Sequence, residues 1–409
     1  MTMTARRRRL HRRLAALPGV RAVRRPVGPD SSDHFDLYYV RTGPKSPHPL
    51  VVIPGGPGAA SVALYRTFRR HATAAGLDVI MIEHRGVGLS RHDDTGADLP
   101  AEAMSVEAAV DDIAAVLDDA AVETAVIYGA SYGSYLASGV GVRHPERVYA
   151  MTLDSPLLCA DDIDEVRAQI RRVLWDGEVP GTAELATKIR ILVEGGVLTR
   201  RDVQLVADLY GTGGPEVLSR QLDLLLSGHP LVWRAVGFGT RMLLERQTPF
   251  HHEPDLVERI AFRELNYGAE PDGGPLDPAV VMRETARGDV GFVAEPFDLR
   301  AALPGFHWPT AVLSGGRDLT TPPAVAHRVA ELIPCATLVE LPTAGHSILD
   351  TREPAALQVC AAAVGDRLPQ LAFRGPELDA LPANATIRLL TGAVSVAARA
   401  ESLLPGASS

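Results

Sequence analysis

Two rhythms of apolar and polar positions divide the chain. Residues 34–40 alternate and are rich in aromatics, which predicts a strand at an antiparallel edge. Residues 50–53 and 77–82 are instead continuously apolar, and each run ends in a glycine-rich turn, Pro54-Gly-Gly-Pro-Gly58 and Glu83-His-Arg-Gly-Val-Gly-Leu-Ser90. That pattern predicts parallel strands covered on both faces, with loops at their carboxyl ends. Further apolar strands are expected from 126 up to the break at Gly129, and at 148–153, 309–314 and 336–341. From Ser105, a helix N-cap, to Asp119 the positions Val106, Ala109, Val110, Ile113, Val116 and Leu117 fall on one helical face.

From about residue 160 the rhythm becomes wholly helical, with patterns at 164–175, 183–193, 201–210, 216–225 and 231–246 and no strand between them. The sheet pattern resumes at 309, and 353–364 is the last clear helix. These features predict a mostly parallel, doubly wound α/β core at 31–158 and 304–370, interrupted by a helical cap at 159–303. Residues 1–30 form a basic N-terminal extension. Residues 371–409, rich in Pro, Gly and Ala, form a C-terminal extension to which the sequence assigns no role.

Charge adds an asymmetry. The net charge of −9 includes an arm bearing Arg6 to Arg9, Arg12, Arg13, Arg21, Arg24 and Arg25, so the body is more acidic than the total indicates. No zinc-finger, helix-turn-helix or RNA-binding pattern accompanies the arm, and the acidic body repels phosphate, so nucleic acid is not an expected partner. The arm reads as a solvated or self-docking extension. Only Leu14-Ala-Ala-Leu-Pro18 follows the first arginines, too short for the apolar region of an export signal, and no stretch approaches a membrane span. A cytoplasmic protein with no membrane partner is expected. Cys159, Cys335 and Cys360 show neither a disulfide framework nor metal spacing, and Cys159 and Cys360 read as small buried residues. No metal or cofactor is expected; in His251-His-Glu253 neighbouring side chains point apart on any regular element.

The chemistry concentrates where an apolar strand breaks at Gly129-Ala-Ser131-Tyr-Gly133 and resumes as a small-residue helix. A serine stands above a sheet only if strand turns sharply into helix, and the glycines leave the room that turn requires. Serine needs a histidine base, and the base a carboxylate that fixes its tautomer. His346 lies in the loop after the last strand, and Asp318 ends the strand before it, so Ser131, Asp318 and His346 form the candidate triad. Asp154, also at a strand end, is the rival acid. Oxyanion stabilisation needs two N–H donors. Tyr132, next after the serine, and Gly56 of the first glycine turn are the candidates, and Pro57 has no N–H to give.

With both glycine turns, Gly-Ala-Ser-Tyr-Gly, Arg317-Asp318 and Gly345-His346 in place, the chain resembles an α/β-hydrolase, over roughly residues 35–365. Within that superfamily it resembles the serine aminopeptidase branch of prolyl iminopeptidase and tripeptidyl aminopeptidase. That branch usually carries histidine before Gly-Gly-Pro-Gly and Asp-Gln or Asp-Tyr before Arg-Gly; here Pro54 and Glu83-His84 stand instead. The resemblance implies hydrolysis of a small molecule or short peptide at a free N-terminus, with a cap carboxylate holding the ammonium. Glu264, in a segment loosely similar to the branch's glutamate-bearing cap motif, is the residue it points to. An esterase, thioesterase or acyl-transfer enzyme for a bulky small molecule uses the same triad and is the alternative.

Overall fold

The computed structural model describes residues 3–29, 31–245, 247–286, 288 and 291–404. Its centre is one sheet of eight strands: β1 (Val20–Pro26), β2 (His34–Thr42), β3 (Leu50–Ile53), β4 (Val79–Ile82), β5 (Ala125–Ala130), β6 (Val148–Asp154), β7 (Thr310–Gly315) and β8 (Ala336–Leu341). Their spatial order is β1-β2-β4-β3-β5-β6-β7-β8. β1 and β2 run antiparallel at one edge, and the strands from β4 to β8 run parallel. The doubly wound reading of the core therefore holds, with the antiparallel edge where the alternating 34–40 pattern placed it.

Strand alternation builds two cores. Val51, Ile53, Ile80 and Ile127 point to one face, and Leu50, Val52, Val79 and Val126 to the other. The longer helices are α1 (Ala5–Ala15), α2 (Arg66–Ala74), α3 (Val106–Asp119), α4 (Tyr132–Arg143), α5 (Asp162–Leu174), α6 (Ala183–Glu194), α7 (Val203–Leu226), α8 (Leu231–Glu245), α9 (Glu258–Arg263), α10 (Pro278–Thr285), α11 (Pro323–Leu332), α12 (Glu353–Val364) and α13 (Ala385–Glu401). On the first face lie α3, α4 and α11, through residues such as Val110, Leu136 and Val329; on the second lie α2 and α12, through Phe68 and Val359. Ser105 caps α3 as expected, its hydroxyl accepting the Ala108 N–H at 3.2 Å.

Helices α5 to α8 close a third cluster, in which Ile170, Leu174, Ile189, Leu205, Leu209 and Trp233 are buried. The two patterns read at 201–210 and 216–225 are two helical segments within α7, separated by a kink where Gly214 leaves helical geometry at φ 76° and Pro215 lacks an N–H. The expected helix end at Arg246 lies outside the described residues, as do residues 1, 2, 30 and 405–409 of the two extensions.

Both extensions do more than the sequence indicated. Residues 20–26 form the edge strand β1, in register from Val20 opposite Val40 to Pro26 opposite His34. Arginines hid this strand from the apolar pattern. They are accommodated because Arg24 meets Asp36 and Asp94, and Arg25 Nε donates to Asp112 at 2.8 Å. Helix α1 docks through Arg7, which pairs with Glu253, donates to the Gly88 carbonyl and lies 4.6 Å over the Phe250 ring. At the other end Gly375–Asp379 packs beside β8, and α13 crosses to the cap, touching α7 and α8. There the buried Glu401 carboxylate accepts the N–H groups of Leu231 and Val232 at 2.6 and 2.8 Å, at the amino end of α8.

Candidate active site

Every group of the site starts from a strand end. After β5 the chain turns into α4 at Ser131, which sits at φ 51°, ψ −123°, a conformation rare for any residue with a side chain. The turn is held by the Ser131 N–H donating to the Asp154 carbonyl at 2.8 Å and by the Ser134 hydroxyl donating to the Ser131 carbonyl at 2.6 Å. Its glycines are obligatory: a Cβ on Gly129 would lie 2.2 Å from the Gly133 carbonyl oxygen, and one on Gly133 would lie 2.1 Å from that of Ile53.

The loops after β7 and β8 converge on the serine. His346 Nε2 is 2.9 Å from Ser131 Oγ, and His346 Nδ1 is 2.9 Å from Asp318 Oδ2. Asp318 is fixed in turn, because its Oδ1 accepts the N–H groups of Thr320 and Thr321 at 2.8 and 2.9 Å, and its Oδ2 accepts the Thr321 hydroxyl at 2.9 Å. Burial alone would raise the Asp318 pKa, but the His346 charge, the hydrogen bond and these amides outweigh it and hold it below the ordinary carboxylate value. Burial likewise opposes charging His346, and the Asp318 carboxylate overcomes it, so the histidine pKa lies above 6.5. A hydroxyl, an imidazole and a carboxylate in this line can take a proton from the hydroxyl as it attacks a carbonyl and return it to the leaving group.

Asp154 is placed elsewhere. Its carboxylate accepts the N–H groups of Ile348 and Leu349 at 3.0 and 2.8 Å and the Tyr128 hydroxyl at 2.9 Å, and burial lifts its pKa to about 6. It therefore anchors the loop that presents His346.

Tyr132 follows the serine directly, and Gly56 is the residue after Gly55 in the first glycine turn. Among the described residues neither backbone N–H has an acceptor, which leaves both donors available. The first glycine turn rests against the serine, since a Cβ on Gly55 would fall 3.2 Å from Ser131 Cβ. The second turn supports the elbow from behind: His84 Nε2 lies 3.0 Å from the Tyr132 hydroxyl, and burial lowers the His84 pKa to about 4, so the ring is neutral. Glu83, where the related branch has aspartate, receives the N–H groups of Val62 and Leu89 at 2.9 and 3.0 Å and tethers the same turn. Arg85 forks onto Asp112 with two contacts of 2.7 Å, fixing it to α3.

Glu264 has another partner than the one expected of it. Its Oε2 accepts the Val106 N–H at 2.9 Å, at the first residue of α3, and no interaction joins it to Ser131, His346 or Asp318 among the described residues. The cap instead brings Asp208 of α7 toward the site, a residue the sequence reading did not single out. Burial raises its pKa, opposed by a hydrogen bond from Gln204 at 2.8 Å and by the charge His346 carries when protonated. Its only sequence signal was a carboxylate in an otherwise apolar turn of the helix, Leu205-Val-Ala-Asp208-Leu-Tyr210.

Between cap and core a cavity opens beside Thr320 and Thr321. Leu157, Ile163, Val166, Ile170, Leu319 and Val325 are among its walls, and Gln204, Asn266 and Asp162 are among its polar members. Asp162 is committed, accepting the N–H groups of Leu158 and Cys159 at 2.6 and 3.1 Å. Cys159 also lines the cavity, half-buried rather than enclosed, and burial pushes its thiol up to about 12.

Comparison with known proteins bears on the fold. The sequence family described as alpha/beta hydrolase fold matches residues 48–182. A proline iminopeptidase of Neisseria meningitidis serogroup A is 24% identical over 347 residues, covering 83% of this chain and 95% of that protein. The rhodomycin D methylesterase DauP of Streptomyces sp. strain C5 is 26% identical over 335 residues, covering 81% and 96%. Among solved structures, the proline iminopeptidase of Mycobacterium smegmatis superposes with a TM-score of 0.53 at 18% identity, over 85% of this chain and 98% of that one.

Proposed function

From the Ser131–His346–Asp318 line and the resemblance to proline iminopeptidases, we propose that the chain is an α/β-hydrolase and, within that class, a serine hydrolase working through an acyl-enzyme. In this reading Ser131 Oγ attacks the substrate carbonyl carbon while His346 Nε2 takes the hydroxyl proton. The Gly56 and Tyr132 N–H groups receive the oxyanion. Collapse expels the leaving group with the proton from His346, and a water then repeats the sequence to release the acid.

The finer reading is an aminopeptidase or amide hydrolase acting at a free N-terminus. What supports it is Asp208: a half-buried carboxylate whose desolvation is offset by no more than the Gln204 hydrogen bond and a transiently charged histidine gains from a substrate ammonium placed beside it. Its neighbour Gln204 lines the apolar cavity, which suits an apolar first side chain. A second reading, an esterase for a bulky small molecule, is favoured by the same apolar walls and by the methylesterase relative.

Hydrolysis of aminoacyl, N-blocked aminoacyl and simple acyl chromogenic substrates separates the two. We expect the free aminoacyl substrate to be preferred, and Ser131→Ala to lower kcat on the order of a thousandfold or more while the fold persists. Preference for blocked or uncharged substrates would replace the peptidase reading with the esterase one. Full activity in folded Ser131→Ala would end the serine mechanism itself.

A further inference from the structure

Helices α8 and α13 carry none of the chemistry proposed above, and they meet on the outside of the molecule. Their outward faces are apolar. On α13, Leu389, Leu390 and Val396 are 75%, 54% and 66% exposed, and Leu403, just past its end, is 85% exposed. Ala393, Ala397 and Ala400 between them are exposed as well, and at about 100° per residue all of these positions share one arc. On α8, Leu231, Phe238 and Met242 follow at spacings of seven and four, which again is one face, and all are exposed. The two faces adjoin at Leu231, whose N–H is bound by Glu401 of α13. Isolated apolar residues on a surface are ordinary, but two neighbouring stripes mark an interaction site.

The rim identifies the occupant. Arg234 and Arg241 on α8 and Arg388 and Arg399 on α13 are exposed, and no carboxylate pairs with any of them among the described residues. Glu401, the acid with a described side chain on these helices, is buried and committed to the amino end of α8. An apolar face whose free charges among the described side chains are all positive, on a protein of net charge −9, complements an anionic lipid surface. We infer that α8 and α13 seat the protein on such a surface, with the leucines, valine and phenylalanine at the acyl boundary and the arginines reaching headgroup phosphates. A second copy fits less well, because two-fold pairing of this face sets arginine rim against arginine rim. The contact is peripheral, since no helix among the described residues is long and apolar enough to cross a membrane. It departs from the sequence expectation of no membrane partner.

Co-sedimentation of the full chain with vesicles of phosphatidylcholine, alone or mixed with phosphatidylglycerol, tests this. Binding is expected to the mixed vesicles and to weaken with salt. It should fall about tenfold or more in Leu389→Glu/Val396→Glu and severalfold in Arg388→Glu/Arg399→Glu. Hydrolysis of a soluble substrate and the melting temperature should not change in either variant. Helix α1 supplies the control, because Arg9 and Arg13 are exposed and basic without an apolar stripe of this kind. Arg9→Ser/Arg13→Ser should still bind. Absence of binding to the mixed vesicles, or binding that follows the α1 variant and ignores the α13 variants, overturns the inference. So does a dimer in light scattering that Val396→Glu splits while vesicles are ignored, which would give the face to a second copy.

Discussion

In the core each group of the candidate triad hangs from the end of a strand, whereas the acids of the inserted cap come from its helices. The core is over-determined. Ser131 is fixed by hydrogen bonds to β6 and α4, Asp318 by two amides and a hydroxyl, and His346 by a loop that Asp154 anchors. In the cap a carboxylate's surroundings depend on which way its helix faces, and Glu264 and Asp208 show that two acids in the same cap meet unlike partners. A sheet fixes position by register; a helix leaves a side chain's target to packing.

The largest test of the core compares its two acids. Asp318→Asn would offer His346 Nδ1 the wrong partner, and in a Ser-His-Asp triad that exchange lowers kcat about 10⁴-fold. Asp154→Asn should act on stability instead, because one amide or hydroxyl of Ile348, Leu349 or Tyr128 then faces an NH₂ group, a loss of roughly 1–3 kcal/mol for an unsatisfied buried donor. Urea melts and kcat measured side by side would reveal it. If Asp154→Asn loses the activity and Asp318→Asn keeps it, the acid belongs to β6.

The unequal legibility of the chain follows from the same contrast. Continuous apolar strands broken by glycines could be read because burial on both faces and a tight turn each demand a residue type, so the elbow, both glycine turns and the His346 loop stood out. Edge strand β1 could not, since its arginines find carboxylates only after folding. α13 gave no signal because its role depends on meeting the cap, through one glutamate at another helix's end. Glu264 misled for a related reason: resemblance pointed to a carboxylate in the cap, and this one is occupied by the N–H of Val106.

A pH profile sharpens the account of the triad. His346 must be neutral to accept the serine proton, and Asp318 holds its pKa above 6.5. Activity should therefore be low in acid and rise about tenfold per pH unit below the midpoint of kcat/KM, with that midpoint above 6.5. Removing the Asp318 charge removes the cause, so residual activity of Asp318→Asn should rise at a lower pH. A midpoint that stays put would mean that some other group controls the protonation.

The smallest effects test the cap, through the pair Asp208→Asn and Glu264→Gln. If an ammonium sits beside Asp208, neutralising that residue should raise KM for a free aminoacyl substrate by about tenfold, the worth of roughly 1.4 kcal/mol, and leave an N-blocked substrate unchanged. Glu264→Gln should do neither. Burial raises the Glu264 pKa, so folding favours its protonated form and stability gained from the carboxylate declines as pH rises through that value. Glutamine keeps an acceptor for the Val106 N–H without the buried charge, giving up only the attraction of the α3 amino end, about 0.3–1 kcal/mol. Melting temperature and KM should both stay close to those of the parent. A selective rise in KM with Glu264→Gln, and none with Asp208→Asn, would return the ammonium site to α9 and remove Asp208 from the site.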